Sequence, residues 1–136
     1  MDVAIPFELT IYGVPVSQQT RNRERLREWR QEVNNAAKRE WTEAPFDSGP
    51  LMVTITYVYD AVRLDVDNIP KPILDGLEQV VFPDDRRITD MLCRRRDLKD
   101  NLQIQTFSPV LSEALARSTP FVHISVDHAP DQGVIT

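Results

Sequence analysis

Acidic side chains cluster at two places in one short stretch: Asp65 with Asp67, and then Asp84 with Asp85. If the backbone is extended through Asp65–Asp67, both carboxylates point to one face, because strand side chains alternate. Carboxylates held that close repel and raise one another's pKa unless a cation neutralises them. An oxygen-only ligand set suits a hard divalent ion such as magnesium or manganese. Lys71, four residues after Asp67, can offer a positive charge to a phosphate held by such an ion. A metal and an ammonium facing a phosphodiester form a hydrolytic arrangement. Asp75 lies one turn beyond Lys71, where an i,i+4 pair would hold that ammonium in place. An Asp-x-Asp pair alone is usually a turn or a solvated strand end. Asn68, Lys71 and the second acidic pair together lift it above that. Asp84 stays open as a ligand, an acceptor behind the ligands or a turn residue.

The flanking periodicity says what must position these groups. Leu51–Tyr59 has the β-branched and aromatic content of a strand, expected to continue to Asp67 with Val66 in the core. Ile69, Ile73, Leu77 and Val80 then recur at helical spacing behind Asn68, a good N-cap. Pro70 and Pro72 fall in the first turn, where a missing N–H costs little. Gly76 reads as a mild cost to the helix. The helix stops at Phe82-Pro83, and a tight turn at Asp84-Asp85 leads to a strand carrying Arg86, Ile88, Leu92 and Arg94–Arg96. That strand alternates imperfectly, which suggests a bulge. Its three consecutive arginines cannot all serve one surface. A crossover of this kind is expected to bring Asp84-Asp85 back to the end where Asp65 and Asp67 sit.

The order Asp-x-Asp-Asn-x-x-Lys, Asp four residues on, then Asp-Asp after an apolar helix resembles the RusA family of Holliday junction resolvases. The motif, Asp65 to Asp85, spans 21 of the 136 residues. Ile11–Ser17 before a basic helix is also similar to that family. The resemblance implies a magnesium-dependent, homodimeric endodeoxyribonuclease that resolves Holliday junctions or other branched DNA in recombination and repair. It further implies that Asp65, Asp67 and Asp85 hold the metal and that Lys71 assists catalysis, with Asn68, Asp75 and Asp84 in support.

At 136 residues the chain is read as one domain, residues 1–136, with 41% hydrophobic and 27% charged residues, ordinary for a soluble fold. The expected fold is α+β: a small mixed sheet of four or five strands with two main helices. Residues 5–12 alternate as a strand near an edge, and about Gln19 to Trp41 reads as an amphipathic helix burying Leu26, Trp29, Val33, Ala36 and Ala37. Pro109–Arg117 is a short helix capped by Ser108, and Pro120–Asp127 a final strand. Trp29, Trp41 and His123 read as packing residues. The opening residues show neither a basic lead nor a long apolar run, so no signal peptide or membrane span is expected. A lone Cys93 suits a reducing cytoplasm.

The net charge of −5 opposes nucleic-acid binding, yet four acids belong to the proposed cluster, and −5 + 4 leaves −1. Affinity for phosphates follows local patches more than the total. Arg21, Arg23, Arg27, Arg30, Arg63, Arg86, Arg94 and Arg96 are the candidates for contact with DNA. Two other readings remain: a DNA-binding module with a degenerate metal site, and a small metal-dependent nucleotide phosphohydrolase.

Overall fold

The computed structural model describes residues 5–136, so part of the opening segment lies outside it. Four strands, β1 (Phe7–Tyr12), β2 (Leu51–Tyr59), β3 (Ile88–Asp97) and β4 (Phe121–His128), form one open sheet in the order β1-β4-β2-β3. Three helices, α1 (Arg23–Glu40), α2 (Pro70–Leu77) and α3 (Pro109–Ala116), complete an α+β fold, with 3-10 turns at Val66–Asn68 and Asp85–Arg87. No helix among the described residues is long and apolar enough to cross a membrane.

Helix α1 starts where Asn22 accepts the Arg25 N–H at 3.0 Å, a side-chain cap for an otherwise orphaned donor. Its apolar stripe, Leu26, Trp29, Val33, Ala36 and Ala37, is buried as the spacing predicts. Trp41 closes the helix, its ring edge-on to Phe7 at 5.2 Å. The stripe and the apolar side of α2 cover one face of the sheet, where Leu9, Val53, Ile55, Tyr57, Val122 and Ile124 alternate inward. The opposite face is covered at one end by α3, around Val58, Ala114 and Phe121. Ser108 caps α3 as expected, accepting the Leu111 N–H at 3.1 Å.

Strands β2 and β3 are parallel, and α2 lies within the crossover between them. The expected bulge is present: Leu51 pairs with Ile88 and Met52 with Asp90, leaving Thr89 as the extra residue. Parallel pairing corrects one expectation. Because β3 starts beside the start of β2, Asp84-Asp85 enter at the end of the sheet opposite to the β2 exit. From about 3.3 Å per residue, those ends are roughly 25 Å apart. The loop after β2 folds back to narrow the gap, tied by Tyr57 Oη donating to Val62 O (2.5 Å) and an Arg95 guanidinium N–H donating to Leu64 O (2.7 Å).

Strand β2 also ends at Tyr59, well before Asp67. The chain bends out of the sheet at Asp60-Ala61, although Val62, Leu64 and Val66 go on alternating with Arg63, Asp65 and Asp67 as a strand would. Asp65 stands at the N-cap position of the turn Val66–Asn68, without a side-chain cap, and Asp67 lies inside the turn, so strand alternation does not put them on one face. Val66 is 39% exposed rather than in the core. Asn68 sits in that turn, and the N-cap position of α2 is Ile69, without a side-chain cap. None is required: Pro70 and Pro72 remove donors that a cap would have satisfied. Helix α2 ends at Leu77, and Val80, though buried, lies beyond it.

Candidate functional site

Lys71 is the hub of the polar cluster beside α2. Its Nζ lies 2.9 Å from Asp75 Oδ1, the expected i,i+4 pair, and 3.2 Å from Asp85 Oδ2 across the crossover. The hydrogen bond to Asp75 is the largest influence on the ammonium and raises its pKa; partial desolvation opposes this, and Asp85 adds to the rise. Lys71 is therefore a cation at neutral pH, suited to stabilising negative charge and unsuited to acting as a base. Asp75 is shared, with Arg30 Nε 3.3 Å from its Oδ2. That Nε is buried and not aligned for a hydrogen bond, so the contact is an ion pair only. Helix α1 thus reaches the cluster through Arg30.

The other predicted ligands stand apart from this hub. Asp65 has an 81% exposed side chain and lies 3.9 Å from an Arg95 terminal nitrogen. Asp67 is exposed in its turn, and Asn68 passes its carbonyl to the Gln18 N–H at 2.9 Å. Lys71 reaches Asp75 and Asp85 rather than Asp67. Asp84 behaves as a turn residue: it accepts the Arg86 N–H at 2.9 Å and pairs with that guanidinium at 3.0 Å. Those bonds to Arg86 hold its carboxyl below the usual carboxylate range. The donor set is oxygen-rich and suits a hard divalent ion in chemistry. In spacing it does not gather: among the described residues no three His, Cys, Asp or Glu side chains stand close enough to share a metal.

The candidate arginines divide by what they already hold. Arg27 pairs with Glu24 at 3.0 Å, Arg30 with Asp75 and Arg86 with Asp84. Arg23 donates to the Gln18 and Thr20 carbonyls, while Arg21 and Arg63 are exposed in loops. Arg94 and Arg96 share one face of β3, and Arg95 takes the other, as alternation requires. Arg95 is not among the candidates; strand parity separates it from Arg94 and Arg96, and only the fold places it on the Asp65 side. The pairing of Arg30 with Asp75 had no sequence signal, since it depends on how α1 crosses α2.

A second, partly buried cluster lies on the far face of the sheet. Glu8 Oε1 accepts from Ser108 Oγ at 2.6 Å and is 2.7 Å from His123 Nε2. His123 is only 6% exposed, as its mid-strand position suggested. Burial pushes its pKa down, opposed by Glu8, with the Arg94 charge adding a smaller depression. A folded-state pKa below the ordinary 6.5 means that the unfolded chain binds more protons as pH falls past that value. Stability is then full above about pH 6.5 and declines from there down through the folded pKa. The thermal midpoint is expected to drop between about pH 7.5 and 5.5, with a smaller drop in His123→Gln. Parallel melting curves for the two proteins would refute the assignment.

The family model described as endodeoxyribonuclease RusA matches residues 12–106, more than half of the chain and inclusive of every residue of the Lys71 cluster. No curated protein matches the chain.

Proposed function

Since the chain belongs to the RusA family of endodeoxyribonucleases, we propose that it resolves four-way or otherwise branched DNA by magnesium-dependent hydrolysis. The observation that carries this reading is the placement of Lys71: a charged ammonium between Asp75 and Asp85, inside the matched region. Asp65, Asp67 and Asp85 would hold the ion, with manganese as the substitute, only after their carboxylates draw together from their present spacing. When bound, it would supply an activated water and neutralise charge on the phosphate.

The chain's own residues do the rest. Asp75, anchored by Arg30, orients the Lys71 side chain and keeps it protonated. Lys71 Nζ then stabilises the negative charge that develops as one P–O bond forms and the other breaks, and can give a proton to the departing sugar oxygen. Exposed Arg21 and Arg63 offer phosphate contacts without first breaking an ion pair. A four-way junction is two-fold symmetric and needs paired nicks, which a homodimer with two sites provides. The protein would act in the cytoplasm, in recombination and repair.

Purified protein should be incubated with a labelled four-way junction and a matched linear duplex, with and without magnesium, beside Asp67→Asn. Symmetric nicks are expected in the junction alone, only with the metal, and not with the variant. Equal cutting of both substrates would reduce the reading to a general nuclease. One observation favours a second reading, a DNA-binding module without cleavage: the three proposed ligands do not converge. Binding of the junction with no nicking under magnesium or manganese would establish it.

A further inference from the structure

On the sheet face opposite α1 and α2, β3 and the segment after it enclose an open groove of about 490 Å³. Thr56, Arg94 and Arg96 form its floor, and Asn101, Gln103 and Gln105 line the side contributed by the segment 98–107. The proposed cleavage chemistry uses none of the amide residues. Among the described residues, Arg25, Arg27, Arg30, Lys71, Arg86 and Arg87 are already matched to carboxylates. Arg94 and Arg96 are different. Arg94 Nε donates to Thr56 Oγ1 at 2.8 Å, which fixes the guanidinium and leaves its terminal nitrogens for a ligand. Arg96 donates to the Arg95 carbonyl rather than to an acid. Two un-neutralised guanidinium groups in a concavity are a site for phosphate.

The remaining wall says what the phosphate is attached to. Asn101, Gln103 and Gln105 are all exposed, and each amide presents a donor beside an acceptor. Such a pair matches the edge of a nucleobase once that edge is free of its Watson–Crick partner. Phe107, just past the lining residue Thr106, is a large apolar ring left 88% exposed by the described residues. Exposed aromatic rings beside a basic groove are stacking platforms for unpaired bases. The groove has the scale of a small-ligand site and is too confined for a duplex.

We propose that this groove binds a short unpaired stretch of DNA, with Arg94 and Arg96 on the backbone, the three amides on base edges and Phe107 stacked on a base. This rests on DNA being the substrate and adds a second contact, on the face away from Lys71, that recognises a displaced strand at a branch.

The test is fluorescence anisotropy of the full chain with a labelled oligothymidylate and a duplex of equal length, in chelator so that no cutting occurs. The single strand is expected to bind more tightly than the duplex. Phe107→Ala should weaken it about tenfold, Phe107→Trp should restore it, and Arg94→Ala/Arg96→Ala should flatten the salt dependence. Phe107 is so exposed that its removal leaves the core intact. Equal binding by wild type and Phe107→Ala, or equal affinity for strand and duplex, overturns the proposal. Junction nicking is scored separately: nicking without strand binding removes the groove and keeps the nuclease, and strand binding without nicking does the reverse.

Discussion

Lys71→Met should lower magnesium-dependent junction nicking by about 10²–10³-fold, the usual cost of deleting one preorganised charge at the reacting centre. The loss should fall on kcat, because one ammonium among many phosphate contacts adds little to binding, and junction affinity measured in chelator should stay within a few-fold. Lys71→Arg should rescue poorly: a planar guanidinium cannot take the compact position that Nζ holds at 2.9 Å from Asp75 and 3.2 Å from Asp85. Burst and steady-state rates on the same junction would separate chemistry from product release. If Lys71→Met cuts within about threefold of wild type, the ammonium is a structural bridge between two acids and the proposed role is lost.

Gly76→Ala carries the largest expected effect on stability. A Cβ built there would meet Val33 Cβ at 2.6 Å, Val33 Cγ1 at 2.7 Å and the Arg30 carbonyl at 2.9 Å. Two effects oppose. Alanine gains about 1 kcal/mol over glycine in helix propensity. Overpacking typically costs about 1–3 kcal/mol, and more where a rigid backbone atom is involved. Here one obstacle is the α1 backbone itself, so the steric cost wins, and the melting point should fall by several degrees; Gly76→Val should fall further. Pushing α2 away from α1 also drags Asp75 off Arg30, so nicking should decline with stability. In Val33→Ala/Gly76→Ala the Cγ1 contact is gone, while the Val33 Cβ at 2.6 Å and the Arg30 carbonyl at 2.9 Å stay, so the double variant should recover only the part of the loss due to that methyl. A neutral or stabilising Gly76→Ala would show that the helices slide apart freely.

That glycine illustrates what the sequence concealed. Read alone, Gly76 was a small local penalty, because propensity is a property of one helix and close approach is a property of two. The apolar stripe of α1, the edge position of β1, the Ser108 cap and the burial of His123 were legible, since each follows from local period or chemistry. The same holds for the Lys71–Asp75 pair, fixed by helical geometry. What failed was the extension of β2 to Asp67. The acidic pair looks like strand because Arg63, Asp65 and Asp67 alternate with Val62, Leu64 and Val66, and nothing in that alternation marks the bend at Asp60-Ala61 that takes the chain out of the sheet. Asp85 does come back to the start of α2, where it meets Lys71 at 3.2 Å. But β3 begins at the end of the sheet away from the β2 exit, and the fold-back of the intervening loop that closes this distance has no period in the sequence to reveal it. The Arg30–Asp75 contact was invisible for the same cause, being set by a helix crossing.

The pleat of β3 gives neighbouring arginines unrelated tasks, since Arg95 serves the Asp65 side while Arg94 and Arg96 floor the groove behind it. Side-chain truncations on the two sides act across the thickness of a sheet, joined only by the Arg96 bond to the Arg95 backbone carbonyl, which a side-chain change at Arg95 leaves in place. Their energetic effects should therefore sum. Substrate preference could then be retargeted in the laboratory from one side, leaving reaction speed to be tuned from the other.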